Sequence, residues 1–309
     1  MYKILITGAD GFLGKNLSKE LIEANHLIIK LSRKYKYKGK AIGDFNEFNQ
    51  WDELLADVDI VIHLAGYVHK NEKSHTKIRN NNHTSNYILT KNLFDASLNT
   101  NIKQFIFLST VGVHGQRANS SLISEESKAN PYSDYTSSKL LSEKYIIDTS
   151  HGYDLKYTII RPPMVYGKYS PGNINTLLNF ISYGIPLPFG NIKNKRSFIG
   201  IDNLTDFINF IVMNKKSFNE VFIVSDNQTL ATSEFIEKII IAKNSKSYLF
   251  FIPKICIKII FKIIKKNNLY NSLFNSFEVN IDKSINILNW KPKFSPDFQI
   301  QKFFKKIKK

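Results

Sequence analysis

A doubly wound α/β fold built on a parallel sheet is what this 309-residue chain predicts, and three observations carry the prediction. Short apolar runs of strand length alternate with stretches of helical spacing as far as residue 160, the pattern of parallel strands joined by helical crossovers. The first strand runs through a glycine-rich turn straight into a helix. Later strands end in small or hydroxyl residues, and carboxyl ends of strands are where open α/β sheets bind ligands. With 43% hydrophobic residues the chain can bury a sizeable core. No signal peptide and no run of about 18 uncharged apolar residues is present. The single cysteine, Cys256, leaves no internal disulfide. Together these predict a cytoplasmic protein.

The elements justify themselves in order. Lys3 to Thr7 is a short buried strand, followed by Gly8-Ala-Asp-Gly11-Phe-Leu-Gly14 and a helix over Lys15 to Ala24 with Leu17, Leu21 and Ile22 on one face. Glycines there let backbone approach a pyrophosphate, and the helix N-terminus offers unpaired N–H groups, so the start of the chain suits a dinucleotide in a Rossmann-type fold. The second strand, Leu27 to Leu31, ends at Ser32-Arg33-Lys34. An acidic residue there would bind the adenosine ribose hydroxyls; a hydroxyl and two cations suit a 2′-phosphate instead, unless they are only a basic loop. Asp44-Phe45 follows another apolar step, and Asp57 to Gly66 is a further buried strand with small residues at its end. Asn81 to Ser97 reads as a helix, Gln104 to Thr110 as a strand ending in a hydroxyl, and Leu155 to Ile160 as a strand closed by Arg161-Pro-Pro.

Past Gly167 the texture changes. Loops at Tyr169–Asn173 and Gly184–Gly190 surround a helix, a basic Lys193–Arg196 precedes a strand over Ser197 to Ile201, and Ile255 to Lys266 forms a basic amphipathic helix. That helix could lie weakly on a membrane surface; packing on its own domain with the lysines outside is the favoured expectation. Residues 1–166 are therefore expected to bind the dinucleotide, and 167–309 mainly the substrate, with 198–225 returning to the large sheet. The net charge of +17 comes from lysines spread along the chain, with no recognition helix or base-reading motif, and predicts a solvated basic surface and no nucleic-acid partner.

Tyr135-Thr-Ser-Ser-Lys139 carries the chemistry. Four residues apart on a helix, the phenol and the ammonium leave the same face one turn apart. An ammonium beside a phenol is expected to move its pKa toward neutrality and make a usable proton donor and acceptor. A tyrosine merely packed by a lysine stem would look the same, so the rest of the chain must decide.

These landmarks resemble the extended short-chain dehydrogenases/reductases, in particular the NAD(P)-dependent epimerase/dehydratase family acting on nucleotide sugars. The resemblance rests on Thr7-Gly-Ala-Asp-Gly-Phe-Leu-Gly14, His63-Leu-Ala-Gly66, Ser109-Thr-Val-Gly-Val-His-Gly115, Arg161-Pro-Pro-Met-Val-Tyr-Gly167, Arg196 to Asn203, and Leu288-Asn-Trp-Lys-Pro292. It implies Thr110, Tyr135 and Lys139 as catalytic residues. It implies cofactor contacts from Gly8, Gly11, Phe12, Leu13, Gly14, Ser32, Arg33, Lys34, Asp44, Phe45, Leu64, Ala65, Gly66, Asn81, Tyr135, Lys139 and Pro162. Substrate contacts would come from Val68, Thr110, Asn173 and Arg196, the last holding a nucleotide diphosphate, and no metal is involved. His114 stands where the family usually has tyrosine, and 275–280 lack an arginine that many 4-epimerases place there. Val111-Gly112 replaces the Asp-Glu of the 4,6-dehydratases, which disfavours dehydration.

Within the family the chain most resembles reductases of 4-keto UDP-N-acetyl-6-deoxyhexoses serving bacterial surface polysaccharides, through Val68-His69, Gly184–Pro188 and Asn191–Arg196. A 4-epimerase acting on UDP-glucose or UDP-N-acetylglucosamine is the alternative, and a non-catalytic NAD(P)-sensing protein a remote one. Ser32-Arg33 lean the expectation toward NADP(H) over NAD(H), and so toward the reductase with a UDP-sugar substrate. The resemblance leaves a homodimer open.

Overall fold

The structure, a computed structural model, describes residues 1–37, 40–41, 43, 47–48, 50–66, 82–116 and 122–305. The expectations placed on Asp44, Phe45, Val68 and Asn81 lie outside the described residues.

Alternation of strand and helix builds the large sheet. β1 (Lys3–Thr7), α1 (Phe12–Glu23) and β2 (Leu27–Leu31) open the chain; β3 (Lys36–Tyr37) and β4 (Lys40–Ala41) pair with each other, and α2 (Trp51–Leu55) precedes β5 (Ile60–His63). Then follow α3 (Asn82–Leu98), β6 (Gln104–Leu108), a 3₁₀ turn over Val111–His114, α4 (Asp134–Thr149), β7 (Lys156–Arg161) and β8 (Met164–Tyr166). The remainder is α5 (Asn173–Ser182), β9 (Arg196–Gly200), α6 (Ile201–Ile211), β10 (Glu220–Ile223), β11 (Thr229–Leu230), α7 (Thr232–Ala242), α8 (Lys254–Ile263), α9 (Asn267–Phe274), α10 (Asp282–Leu288) and α11 (Pro296–Phe304).

Six strands, all parallel, lie in the order β10-β7-β6-β5-β1-β2. Side chains along each strand alternate between its two faces. Leu5, Val61, Phe105, Phe107 and Ile159 meet Trp51, Leu55, Leu89, Phe94 and Ile146 from α2, α3 and α4. Ile4, Ile6, Ile62, Ile106 and Ile160 meet Leu17 and Leu21 of α1 and Leu204, Phe207 and Ile211 of α6. Both faces are thus sealed by apolar residues, as a parallel sheet requires.

The chain returns to this sheet after Gly167. α6 covers it beside α1 and β10 extends its edge next to β7, whereas residues 196–200 form β9 in a separate sheet with β8 and β11. The return therefore begins at Ile201, where the expected strand Ser197–Ile201 gives way to a helix. The Leu288-Asn-Trp-Lys-Pro292 stretch is a packing device: Leu288 and Trp290 lie in the core with Phe207, and Trp290 Nε1 donates to Asp206 at 2.9 Å.

One expectation holds on a single face only. α8 buries Ile257 against its own domain, but Ile255, Ile259, Ile260 and Ile263 are exposed along with the lysines.

Candidate active site

β1 and β5 are neighbours in the sheet, yet the chain leaves β1 for β2 on one side and leaves β5 for β6 on the other. Their carboxyl ends flank a crevice of the kind where such sheets bind ligands. The glycine turn closes one wall of it. Gly8 has φ +71°, and a Cβ there would stand 3.0 Å from Ala65 N, so the turn presses on the small-residue segment after β5. A Cβ on Gly14 would fall 2.4 Å from the Gly8 carbonyl oxygen. That glycine lies inside α1, which starts at Phe12, three residues before the expected start at Lys15; close approach demands the glycine, and the helix does not break there. Gly11 precedes α1 with extended backbone and no side-chain cap, and the helix's first turn carries no acidic residue. Its N–H groups are left for an anion.

His63 ties the two strand ends together, a role its motif does not disclose. Thr90 Oγ1 donates to the Asn86 carbonyl at 2.9 Å, so it accepts from His63 Nε2 at 3.1 Å. Nδ1 is then the acceptor for Thr7 Oγ1 at 2.7 Å, and Thr7 in turn accepts from Ala65 N at 3.2 Å. Every group in the relay is satisfied with a neutral ring. Complete burial, helped by the Lys139 charge, holds the imidazole well below its ordinary pKa.

Tyr135 lies in the first turn of α4, which a reciprocal cap fixes: Ser133 Oγ accepts from Thr136 N at 3.3 Å and Thr136 Oγ1 from Ser133 N at 3.0 Å. One turn on, Lys139 is buried, donates to the Leu108 carbonyl at 2.8 Å, and sits 4.5 Å from the Phe107 ring centre and 5.9 Å from that of Tyr135. A Cβ on Gly66 would lie 3.5 Å from its Nζ, so the lysine reaches the end of β5. The expected shift of the tyrosine toward neutrality is corrected here. Burial pushes the Tyr135 phenol up to about 12 and the Lys139 ammonium down to about 8. Desolvation penalises both charged forms, and the ammonium hydrogen-bonds a carbonyl instead of the phenol.

Thr110, at the end of β6, caps the 3₁₀ turn by accepting from Gly112 N at 3.1 Å. Its hydroxyl proton remains available to a third group. A Cβ on Gly112 would stand 2.8 Å from Thr136 Cγ2 and 3.5 Å from Tyr132 Cε1. The turn is thus pressed onto the start of α4, bringing Thr110 to the same end of the sheet as Tyr135 and Lys139. A second brace was missed in the sequence. Arg161 donates from Nε and Nη2 to Glu143, at 3.0 and 2.6 Å, and from Nη1 to the Glu125 carbonyl at 3.0 Å. His114 Nε2 accepts from the same Nη1 at 3.0 Å, its pKa lowered by burial and by Arg161. Glu143 lies one turn beyond Lys139, so this buried pair locks α4 to β7. The Arg161-Pro-Pro and Tyr135…Lys139 motifs name both helix and strand, and only their packing reveals the pair.

The other expected residues divide. Ser32, Arg33 and Lys34 form a turn at the end of β2, where Tyr35 N donates to the Ser32 carbonyl at 2.9 Å and Ala9 N to the Leu31 carbonyl at 3.3 Å. Arg33 and Lys34 are exposed beside the glycine turn. Phe12 and Leu13 begin α1, and a Cβ on Gly167 would stand 3.1 Å from the Phe12 ring. The Pro162 carbonyl accepts from Val111 N at 3.0 Å, which supports the Thr110 turn. Asn173 is exposed at the start of α5, and among the described residues no hydrogen bond joins it to the tyrosine cluster. Arg196 donates from Nη1 to the Asn275 carbonyl at 2.9 Å, while its buried Nε has no hydrogen-bond partner. Burial lowers its pKa to about 10, and the nearby Tyr132 acts electrostatically on both Arg196 and Tyr135. The guanidinium is half-buried, and among the described residues no carboxylate pairs with it.

Among the described residues no group of three His, Cys, Asp or Glu side chains could hold a metal ion, and no helix is long and apolar enough to cross a membrane. The model of the NAD dependent epimerase/dehydratase family matches residues 4–224. The chain is 31% identical to a UDP-glucose 4-epimerase of Vibrio cholerae over 94% of this chain and 90% of that protein. It is 27% identical to the N-acetyl-alpha-D-glucosaminyl-diphospho-ditrans,octacis-undecaprenol 4-epimerase of Escherichia coli O157:H7, over 79% of this chain and 73% of that one. The fold matches that of UDP-glucuronic acid 4-epimerase from Bacillus cereus with a TM-score of 0.78, at 20% identity over 98% of this chain and 97% of the other.

Proposed function

The chain belongs to the NAD dependent epimerase/dehydratase family, and from that membership we propose that it inverts C4 of a sugar carried on UDP. The hydroxyl is oxidised to a ketone and the ketone reduced on its other face. The observation that carries this reading is the alignment along nearly the whole chain with a UDP-glucose 4-epimerase, in a protein that keeps Thr110, Tyr135 and Lys139 at one end of its sheet. The sequence alone ranks the reductase first; the 4-epimerase relatives reverse that order.

The residues present fit a nicotinamide dinucleotide: the Gly8–Gly14 turn is a cradle that a Cβ would fill, and α1 offers an uncapped N-terminus. Gly8, Gly11, Phe12, Leu13 and Gly14 would hold the pyrophosphate, Ser32, Arg33 and Lys34 the adenosine end, Leu64, Ala65, Gly66 and Pro162 the walls, and Lys139 the nicotinamide ribose. When bound, the nicotinamide accepts and returns hydride. Tyr135, as phenolate, takes the C4 hydroxyl proton while hydride leaves C4, and as phenol returns it to the alkoxide when the ketone is reduced. Thr110 donates to the same oxygen while its own lone pair is occupied by Gly112 N. Arg196, with Asn173 toward the outer end, takes the diphosphate through its forked donors. The undecaprenyl-linked substrate named for the E. coli relative carries the same sugar–diphosphate unit, which Arg196 would meet in the same way.

Arg196→Ala is expected to raise the Kd for UDP by roughly 10- to 100-fold, the worth of a charge-assisted bidentate contact, and to leave dinucleotide affinity unchanged. Titration of both ligands checks it; equal losses would mean that Arg196 acts through folding.

Lys139 supplies a pH dependence. Its pKa is lowered to about 8, so its charge is present below pH 8 and lost above it. If the ammonium is the active form, kcat/KM falls about tenfold per unit above that value. A profile flat to pH 9.5 contradicts this.

The second reading, a 4-keto reductase of UDP-N-acetyl-6-deoxyhexoses, is favoured by Arg33 and Lys34 at the end of β2. It predicts that NADPH binds more tightly than NADH by roughly five- to 150-fold and that Arg33→Ala removes most of that difference. Fluorescence titration of both cofactors decides it, and equal affinities in the wild type leave the epimerase alone.

A further inference from the structure

α8 is apolar on more sides than its own domain can cover. Ile257, buried, and Phe261, partly buried, face inward against Ile192, Tyr270 and Phe274. Ile255, Ile259 and Ile263 follow one another at four-residue spacing along a second face, with Ile260 on the adjoining stripe. They are 69%, 53%, 74% and 51% exposed. Lys254, Lys258 and Lys262 form a third face at the same spacing, continued by Lys265 and Lys266 just past the helix end. Phe251, 62% exposed, immediately precedes the helix. The chain as a whole carries a net charge of +17.

A surface helix of a protein free in water has one apolar stripe, and that stripe faces the core. Here a second apolar stripe faces outward, flanked along its length by ammonium groups whose stems can lie along the apolar surface while their heads reach upward to water or phosphate. The exposed Phe251 at the N-terminal end adds a large apolar side chain of the kind such helices bury. Apolar face, lysine border and aromatic anchor are the features of a helix that lies in the plane of a bilayer. The net positive charge selects an anionic one.

We propose that α8 and the preceding Phe251 dock this protein on anionic phospholipid, with Ile255, Ile259, Ile260 and Ile263 entering the headgroup–acyl boundary and Lys254, Lys258 and Lys262 meeting lipid phosphates. The attachment is peripheral and reversible. Its strength rises with the fraction of anionic lipid and falls with salt, because each lysine near such a surface contributes about fivefold to partitioning. Docking does not depend on which sugar occupies the active site.

The test uses the full-length protein and sedimentation with large vesicles of phosphatidylcholine, pure or containing 30% phosphatidylglycerol (a composition chosen to be roughly that of an anionic membrane surface). The wild type is expected to sediment with the anionic vesicles and to remain largely in solution with the neutral ones. Ile259→Glu/Ile263→Glu, two exposed positions whose replacement leaves the core intact, is expected to lower partitioning by on the order of 100-fold. Its thermal melting and its activity on soluble UDP-sugar are expected to stay at wild-type values.

Depth provides a second readout. Cys256, the single cysteine, is exposed on α8, so a fluorophore attached there is expected to be quenched by lipids brominated near the headgroup. Three results would overturn the proposal. One is failure of the wild type to bind anionic vesicles. Another is equal binding by wild type and the double variant, which would trace attachment to net charge alone. The third is a wild-type dimer that the double variant converts to monomer while neither binds vesicles, making this face an interface between copies.

Discussion

Replacing Tyr135 by phenylalanine is expected to cut turnover by about 10²- to 10⁴-fold, the range for losing a positioned general acid, while dinucleotide affinity stays near the wild-type value. The ring, its burial and the cap on α4 all survive the change, since Ser133 and Thr136 make that cap. What is lost is the hydroxyl, the group that takes the proton as the C4 alcohol is oxidised and returns it as the ketone is reduced. Thr110→Val should add a separate loss of about 10²-fold by removing one donor to the developing alkoxide. Turnover measured with saturating UDP-sugar, beside a cofactor titration, checks both. Wild-type turnover in Tyr135→Phe would remove the phenol from the chemistry.

Glu143→Ala is expected to have the largest effect on stability. The carboxylate is 1% exposed and its partner Arg161 10% exposed. Removing one member of such a pair leaves a buried charge uncompensated and costs about 3–5 kcal/mol. In a chain of this size that lowers the midpoint of thermal unfolding by roughly 6–20 °C. Because the pair locks α4 to β7, kcat should fall as well, through misplacement of Tyr135 and Lys139. The double change Glu143→Met/Arg161→Leu removes both charges and should recover most of the stability. An unaltered midpoint in Glu143→Ala would show that the pair is not what joins helix to strand.

How much of this was legible in the sequence varies with the reach of the interactions. The large sheet was legible because apolar strands, helical spacing and the glycine turn are local signals, and Gly8, Gly11 and Gly14 mark where backbone must approach backbone. Tyr135 and Lys139 share a helix, so their spacing alone predicts a common face. The electrostatics were not legible. Whether an ammonium lowers a neighbouring phenol depends on what else surrounds both, and here the Leu108 carbonyl and the apolar Phe107 ring take the lysine. The His63 relay and the Glu143–Arg161 pair join residues 27 to 58 and 18 positions apart, and only folding brings them together. The exposed isoleucines of α8 escaped for the converse reason. Periodicity shows that a helix has an apolar side but not how much of that side the protein covers.

The proposed epimerisation takes hydride from C4 of a UDP-sugar and returns it to the opposite face. Incubating the purified protein with UDP-glucose or UDP-N-acetylglucosamine in deuterated water, without added cofactor, tests this most directly. The C4 epimer is expected to appear with no deuterium at C4, because the hydride never leaves the site. Absence of epimer from both sugars, together with stoichiometric consumption of NADPH when a 4-keto UDP-sugar is supplied, would contradict it.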